Sequence, residues 1–221
     1  MNKVDKRALK EANIIDVAEK VFANRGYENT KMEDIAAELG ISKGTIYFYF
    51  NTKENLYMAI TYRAYQKLID LFYENIQNSK GENGLETVMK IMRSFMEFSE
   101  QNYIYGEAML NYYSFVRQTG HGKELDKLTE GMKDSIYYQK VLEIQRTPIE
   151  ITVKEIQRGI QDGSIRSGAK PQIIYLNAWA LVIGFMKLND TAVTNKPTIM
   201  KIKVSDWKEY ILEDARNMIK S

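Results

Sequence analysis

The sequence contains no cysteine, one histidine and three prolines among its 221 residues. The absence of cysteine excludes disulfide frameworks, thiolate metal sites and cysteine nucleophiles. The single histidine, His121, lies between two glycines, and we expect it in a surface loop rather than in a metal site. The scarcity of proline favours long, uninterrupted helices, because proline breaks a helix interior.

Sequence signatures of catalysis are missing as well. The chain has no glycine-rich phosphate loop after a strand, no His-Glu-x-x-His and no nucleophile elbow. We therefore predict a protein that is not an enzyme, with no catalytic residues, no bound metal and no cofactor. The charge is nearly balanced, with 31 Lys and Arg against 29 Asp and Glu. This balance excludes a chain that is polybasic throughout, but it allows a local basic patch.

Neither a secretory signal nor a membrane helix is expected. Residues 1–12 are polar and no apolar segment follows them, unlike in a signal peptide. The longest apolar stretch, Ile173–Leu188, is interrupted by Asn177 and Lys187, and it is shorter than the ~20 residues that cross a bilayer. The sequence thus predicts a cytoplasmic protein without a membrane span.

Apolar residues recur every three or four positions along nearly the whole chain, which predicts an all-α fold. Only the stretch 189–204 is ambiguous between a loop and an extended segment. Short helices with tight caps give way to long helices near residue 50. This change predicts an N-terminal domain at residues 1–52 and a helical C-terminal domain at residues 53–221.

A helix-turn-helix motif is predicted at about residues 31–50. The run Thr30-Lys-Met-Glu33 has the Ser/Thr-x-x-Glu spacing of a capping box and precedes a short apolar-periodic helix. Gly40 ends that helix, and Ser42 can cap a second helix, 43–49. Two short helices joined by a short turn that contains glycine are typical of this motif. The turn requires a backbone conformation that a side chain resists, which explains Gly40.

The second helix of the motif has a composition suited to DNA. Its N-terminal residues would enter the major groove, and its free amides would favour phosphate oxygens. Hydroxyl groups, a cation and a position without a side chain are gathered there, and tyrosines and a further lysine follow. These candidate DNA-binding residues are Ser42, Lys43, Gly44, Thr45, Tyr47, Tyr49 and Lys53.

The spacing of these residues resembles that of the DNA-binding domain of TetR-family transcriptional regulators, over about residues 10–60. The matching positions include Ile14, Ala18, Phe22, Gly26-Tyr27, Thr30, Ile35-Ala36, Gly40-Ile41-Ser42-Lys43-Gly44-Thr45-Ile46-Tyr47, Phe50 and Lys53-Glu54-Asn55-Leu56. The resemblance implies a three-helix DNA-binding domain on a helical domain that binds a ligand and dimerises. It also implies phosphate contacts by Thr30, Tyr47 and Lys53, and contacts at or near bases by Lys43, Gly44, Thr45 and Tyr49.

Each of these assignments has a plainer alternative. Thr30 and Ser42 can serve only as helix caps, and the Tyr47 ring can serve only to pack helices together. Lys43 and Lys53 can be solvated surface side chains. Phe48 departs from the family pattern, because many relatives carry a polar or basic residue there.

Two arguments predict a homodimer. Residues 1–60 contain nine cationic and nine anionic side chains, so one copy with few phosphate contacts would bind DNA weakly. Two copies on a pseudo-palindromic duplex double those contacts. In addition, the helix 173–188 is apolar nearly all round and needs cover on two sides, by its own core and by a second subunit, unless it is the central helix of a monomer. The candidate interface residues are Trp179, Ile183, Met186, Trp207, Ile211 and Met218.

A ligand cavity is also predicted, mainly from the resemblance to TetR-family regulators. Aromatic and methionine side chains are dense between residues 92 and 116 and suit a pocket for a mostly hydrophobic molecule, although such side chains also form ordinary cores. Glu97 and Glu107 are surface charges or, alternatively, select a cation. The candidate pocket residues are Met92, Phe95, Met96, Tyr105, Met109, Tyr112, Tyr113, Tyr137 and Trp179.

Together these features predict a ligand-responsive transcriptional regulator, a repressor that a small-molecule effector releases from its operator. One alternative is a helical DNA-binding protein without a small-molecule effector, controlled by a protein partner. Another is a helical enzyme or carrier whose helix-turn-helix is vestigial.

Overall fold

The computed structural model describes residues 3–118, 135–190 and 198–221, which are mostly helical. His121 lies outside the described residues, so its predicted loop position is untested. The helices are α1 (Lys3–Arg25), α2 (Met32–Glu38), α3 (Lys43–Tyr49), α4 (Lys53–Asn78), α5 (Gly84–Gln101), α6 (Tyr103–Gln118), α7 (Ile136–Ile144), α8 (Thr147–Gln161), α9 (Pro171–Asp190) and α10 (Val204–Ile219), and a hairpin of β1 (Thr198–Ile199) and β2 (Ile202–Lys203) precedes α10.

The described residues form two compact units. The first contains residues 3–66, 102–118 and 135–144, and the second contains residues 67–101, 145–190 and 198–221. Helix α4 therefore contributes its first half to one unit and its second half to the other. This division follows packing, whereas the boundary predicted after residue 52 follows the change from short to long helices, and it stays a prediction.

The first three helices share one apolar core. Ile14, Ala18 and Phe22 of α1, Ile35 of α2 and Ile46 of α3 are all 0% exposed. Helix α2 packs against both α1 and α3. Burial of these side chains supplies the main stabilisation, because helices as short as α2 and α3 are not stable alone in water.

The start of α2 differs from the predicted capping box. The hydroxyl of Thr30 donates to the carbonyl oxygen of Gly26 at 2.8 Å, and the N-cap is Lys31, whose amide donates to Oδ2 of Asp34 at 2.8 Å. The box predicted from Thr30 and Glu33 is therefore wrong by one residue. The physical reason is that the end of α1 leaves the Gly26 carbonyl within reach of the Thr30 hydroxyl.

The turn between α2 and α3 confirms the role predicted for Gly40. Its φ of +63° lies in the left-handed region, which L side chains resist. The amide of Ile41 then donates to the carbonyl oxygen of Ala36 at 3.0 Å. This left-handed residue ends α2 and redirects the chain into α3.

The ambiguous segment 189–204 contains a short antiparallel hairpin. Thr198 pairs with Lys203 and Ile199 with Ile202. The two turn residues, Met200 and Lys201, have positive φ values of 51° and 69°. Positive φ at both positions is the geometry of a type I′ turn, which matches the twist of a two-residue hairpin. The extended alternative is therefore the one observed over residues 198–203.

In the second unit, α5 packs against α8, α9 and α10. Helices α5 and α8 approach closely at a pair of glycines, since a Cβ atom added to Gly84 would lie 2.1 Å from the backbone nitrogen of Gly159. The amide of Gly84 also donates to Oδ2 of Asp162 at 2.7 Å. The N-terminus of α5 is thus held against the end of α8 without space for a side chain.

Helix α9 is long and apolar enough to cross a membrane by length and composition alone. Only 22% of its most apolar stretch is buried, and Ile173, Leu176 and Leu188 are more than half exposed. The core helix of a soluble protein can have the same composition. Helix α9 thus leaves several large apolar side chains exposed in the described part of the chain.

The glycine contact predicts a large loss of stability for Gly84→Ala. The added methyl group would force α5 and α8 apart, and we expect the free energy of unfolding to fall by about 2–3 kcal/mol. Gly184→Ala is the matched control, because among the described residues no atom outside the adjoining part of α9 lies within 4 Å of its added Cβ, and alanine there should stabilise α9 by about 0.5–1 kcal/mol. Urea unfolding measures both changes, and equal stability of the two variants would contradict the close approach.

Candidate nucleic-acid interface

The N-terminal end of α3 is capped by a side chain that stays at the surface. Oγ of Ser42 accepts from the amide of Thr45 at 3.1 Å, and the two hydroxyl oxygens lie 2.8 Å apart. The same amide also donates to the carbonyl oxygen of Ser42 at 3.0 Å, so the cap gives a first-turn amide a second acceptor. The structure therefore confirms Ser42 as a helix cap, and its oxygen remains exposed beside that of Thr45.

The exposed face of α3 carries the predicted DNA-binding residues. Ile46 and the following Phe50 are buried, whereas Ser42, Lys43 and Gly44 are exposed. A Cβ added to Gly44 would meet nothing closer than Oγ of Ser42 at 3.9 Å. Packing within the chain therefore does not require glycine here, although glycine costs about 1 kcal/mol in a helix.

Lys43 is held on this face by a carboxylate of α2. Its Nζ lies 2.5 Å from Oε1 of Glu33, and its side chain remains 67% exposed. The same Nζ lies 5.6 Å from the centre of the Tyr47 ring. The hydrogen bond raises the pKa of Lys43 and lowers that of Glu33. Lys43 is thus charged and directed by α2, yet open to an incoming anion.

The other phosphate contacts implied by the resemblance are less accessible. Thr30 is 1% exposed and its hydroxyl is bonded to Gly26. Nζ of Lys53 donates to the carbonyl oxygen of Tyr27 at 2.8 Å and lies 4.2 Å from the centre of that residue's ring. Tyr47 and Tyr49 are half-buried on α3. The structure therefore brings Tyr47 and Tyr49 together with Lys43 on one helix, and it places Thr30 inside the fold.

One surface cation beside α3 was missed by the sequence reasoning. Phe48 is 67% exposed, and the guanidinium carbon of Arg7 lies 5.5 Å from the centre of its ring. Both residues belong to the first unit. The first ten residues contain four cationic side chains and one anionic side chain, and this excess could have indicated Arg7. Nothing in the sequence indicates that Arg7 lies beside Phe48.

A partly buried ion network fixes α1 within the first unit. Nη1 of Arg63 lies 2.5 Å from Oδ1 of Asp16 and 2.9 Å from Oε1 of Glu19. The hydroxyl of Tyr105 donates to the other oxygen of Glu19 at 3.0 Å. Burial raises the pKa of Glu19 despite the opposing effect of Arg63. This network joins α1, α4 and α6.

The predicted pocket residues are divided between the two units. In the second unit, Met92 lines a cavity of about 300 Å³, and the Trp179 ring stacks on Phe95 with 5.4 Å between centres. In the first unit, Tyr112 lines a cavity of about 600 Å³, and the hydroxyl of Tyr137 donates to Glu11. The buried residues Met96, Tyr105 and Met109 and the half-buried Tyr113 complete the set. A single pocket that contains all of them stays a prediction.

The predicted dimer residues differ in exposure. Met186 and Ile211 are each 9% exposed and belong to the core of the second unit. Trp179, Ile183 and Trp207 are half-buried, with Trp207 packed on Phe185. Met218 is 44% exposed. The prediction did not include four apolar side chains of these helices that are more exposed than Met218: Ile173, Leu176 and Leu188 of α9 and Tyr210 of α10.

Comparison with known proteins identifies the domain that contains α3. Residues 14–60 match the family model described as bacterial regulatory proteins, tetR family. This stretch of the chain is therefore of the TetR type. The match covers the three N-terminal helices and the start of α4, where the predicted DNA-binding residues lie.

Proteins similar to part of this chain include two regulators. The "Uncharacterized HTH-type transcriptional regulator YuxN" of Bacillus subtilis (strain 168) is 37% identical over 32% of this chain and 32% of YuxN. The "Biofilm operon icaADBC HTH-type negative transcriptional regulator IcaR" of a Staphylococcus epidermidis strain is 29% identical over 33% of this chain and 39% of IcaR. The chain thus spans about a third of YuxN and about two-fifths of IcaR.

Solved structures show that the likeness in fold extends along the chain. The transcriptional regulator FadR from Bacillus subtilis, in complex with stearoyl-CoA, has a TM-score of 0.63 and 21% identity and covers 91% of this chain and 95% of its own. Together with the helices described above, this supports an N-terminal helix-turn-helix domain followed by a helical C-terminal domain.

The cap of α3 predicts the effect of Ser42→Ala. Removing the side-chain acceptor of the Thr45 amide should lower the free energy of unfolding by about 1 kcal/mol. Ser42→Asn is the control, because its side-chain oxygen can accept the same hydrogen bond and should restore most of the loss. Thermal unfolding at matched concentration measures both, and equal losses in the two variants would contradict the cap.

Proposed function

We propose that this protein is a DNA-binding transcriptional regulator, a repressor that binds a pseudo-palindromic operator as a homodimer inside the cell. The observation that carries the proposal is the exposed, Ser42-capped N-terminal end of α3, which presents Lys43, Gly44 and Thr45. Free helix amides and a cation favour phosphate, and the hydroxyls can bond to phosphates or base edges. Tyr47, Tyr49 and Lys53 extend this surface, and Thr30 supports it from inside.

Dimerisation follows from the charge and from the exposed apolar surface of the second unit. The first sixty residues carry no net charge, so two copies are needed for firm binding at cellular salt. Ile173 and Leu176 of α9 and Met218 of α10 are exposed apolar side chains that a second copy can cover. A symmetric pair would place two α3 helices about 34–36 Å apart, in successive major grooves.

We propose repression from the printed name of one similar protein. We propose release by a small molecule from a solved structure of similar fold and from a cavity in this chain. IcaR is named a negative regulator, and FadR was solved with stearoyl-CoA. The cavity of about 300 Å³ in the second unit has apolar walls that include Met92, Ile174 and Leu181, with Arg166 and Lys170 at its lining. We propose an effector with an apolar body and an acidic group, which would shift the population towards a dimer that no longer fits the operator.

The DNA-binding proposal predicts a specific loss in the double variant Lys43→Ala, Thr45→Ala. A duplex selected from a random library by the wild-type chain should contain an inverted repeat. The double variant should bind this duplex at least a hundredfold more weakly, because it loses a phosphate contact and a hydroxyl at each half-site. Fluorescence anisotropy measures the affinity.

Lys20→Ala is the matched control, since Lys20 is an exposed lysine of α1 outside the proposed interface, and it should change the affinity little. Unchanged binding in the double variant would overturn the assignment of α3. A wild-type chain without salt-sensitive affinity for any duplex would overturn the regulator itself.

The effector proposal predicts that decanoate weakens operator binding, whereas decanol, which has the same chain without the charge, does so at least tenfold less well. The Arg166→Gln, Lys170→Gln double variant should remove the difference between the two compounds while it retains operator affinity. Anisotropy titrations with each compound measure this. Operator affinity that is indifferent to both compounds, although calorimetry shows that decanoate binds, would contradict release by this ligand and favour control by a protein partner.

A further inference from the structure

The first unit contains a second, larger cavity that the proposed function does not use. Its volume is about 600 Å³. It is lined by the turn between α1 and α2, by the first turns of α4 and by the middle of α6. The lining residues are Gly26, Tyr27, Glu28, Asn29, Glu54, Tyr57, Met58, Glu107, Asn111 and Tyr112.

Aromatic rings form the walls of this cavity. The rings of Tyr27 and Tyr57 lie 4.6 Å apart between centres, inclined at 55°. Nδ2 of Asn111 donates to the hydroxyl of Tyr57 at 3.0 Å, which holds the ring in place. Tyr112 is 0% exposed, and its hydroxyl has no hydrogen-bond partner in the part of the chain that the structure describes. The cavity therefore combines π faces with a buried polar group that remains available.

The charged groups in the lining are all of one sign. Among the described residues, the lining contains three glutamates, Glu28, Glu54 and Glu107, and neither lysine nor arginine. Burial raises the pKa of Tyr27, and the negative charges of Glu54 and Glu28 raise it further. Burial likewise raises the pKa of Tyr57, with a smaller contribution from Glu107. The field of the carboxylates thus reaches the rings and disfavours a further negative charge.

A neighbouring side chain shows what these rings accept. The ammonium group of Lys53 lies 4.2 Å from the centre of the Tyr27 ring and donates to the carbonyl oxygen of the same residue at 2.8 Å. A cation within about 6 Å of an aromatic ring is attracted by its quadrupole. The Tyr27 ring therefore already makes one contact with a cation.

We propose that the cavity between Tyr27, Tyr57 and Glu107 binds a small organic cation with an apolar body, a quaternary or protonated amine. The tyrosine rings supply cation–π attraction and apolar contact, and the glutamates supply the opposite charge. An anion would be repelled by the carboxylates, and a neutral molecule would gain only the apolar contact. The site differs in place and in charge from the cavity of the second unit, which is lined by Arg166 and Lys170.

Isothermal titration calorimetry of the full chain with benzyltrimethylammonium tests this proposal without DNA. N,N-dimethylbenzamide, a neutral compound of similar size, is the ligand control. We expect the cation to bind at least tenfold more tightly than the amide. The affinity for the cation should fall with added salt, because the attraction is partly electrostatic.

The double variant Glu54→Gln, Glu107→Gln should lower the affinity for the cation at least tenfold and leave the affinity for the amide unchanged. Glu143→Gln is the matched control, since Glu143 is an exposed glutamate of α7 in the same unit and does not line the cavity. Circular dichroism confirms that each variant is folded before titration.

Equal affinities for the cation and the amide, no measurable binding of the cation, or a double variant that binds the cation as the wild type does would each overturn the proposal. Because the measurement contains no DNA, these outcomes are independent of whether the chain binds an operator.

Discussion

The central constraint on this structure is that α3, only seven residues long, must be held as a helix by its neighbours. A helix of two turns has too few internal hydrogen bonds to persist in water. Ile46 and Phe50 supply the anchor, since both are almost completely buried, and the Ser42 cap satisfies the first turn. The left-handed Gly40 makes the sharp turn that brings α3 onto α2. The side of α3 that faces away from this core is then left for a partner.

This arrangement separates what holds the helix from what the helix presents. The anchoring side chains are apolar and inside, whereas the hydroxyls, the lysine and Gly44 are outside. Lys43 is directed by Glu33 of α2, so the position of its charge depends on the same α2–α3 packing. The neutral balance of the first sixty residues means that affinity for a polyanion must come from the placement of a few groups and from two copies, not from net charge.

Local sequence signals predicted much of this fold, because they act over a few residues. Gly40, the Ser42 cap and the buried Ile46 are determined by turn conformation, capping and helical period. The capping box predicted at Thr30 was wrong because α2 is capped at Lys31 and the Thr30 hydroxyl donates to the Gly26 carbonyl oxygen, a contact that only the folded loop reveals. The contact of Gly84 with Gly159 and the cavity that joins Tyr27 to Glu107 bring together residues far apart in the sequence, and no local pattern indicates them.

The most direct test of the central claim is a ¹⁵N-TROSY titration of the full chain with its selected duplex and with a scrambled duplex of the same composition. The account predicts that the amide resonances of residues 42–45 shift most strongly, and only with the selected duplex. If those resonances stay in place while others shift, or if both duplexes shift them equally, then the exposed end of α3 does not read DNA.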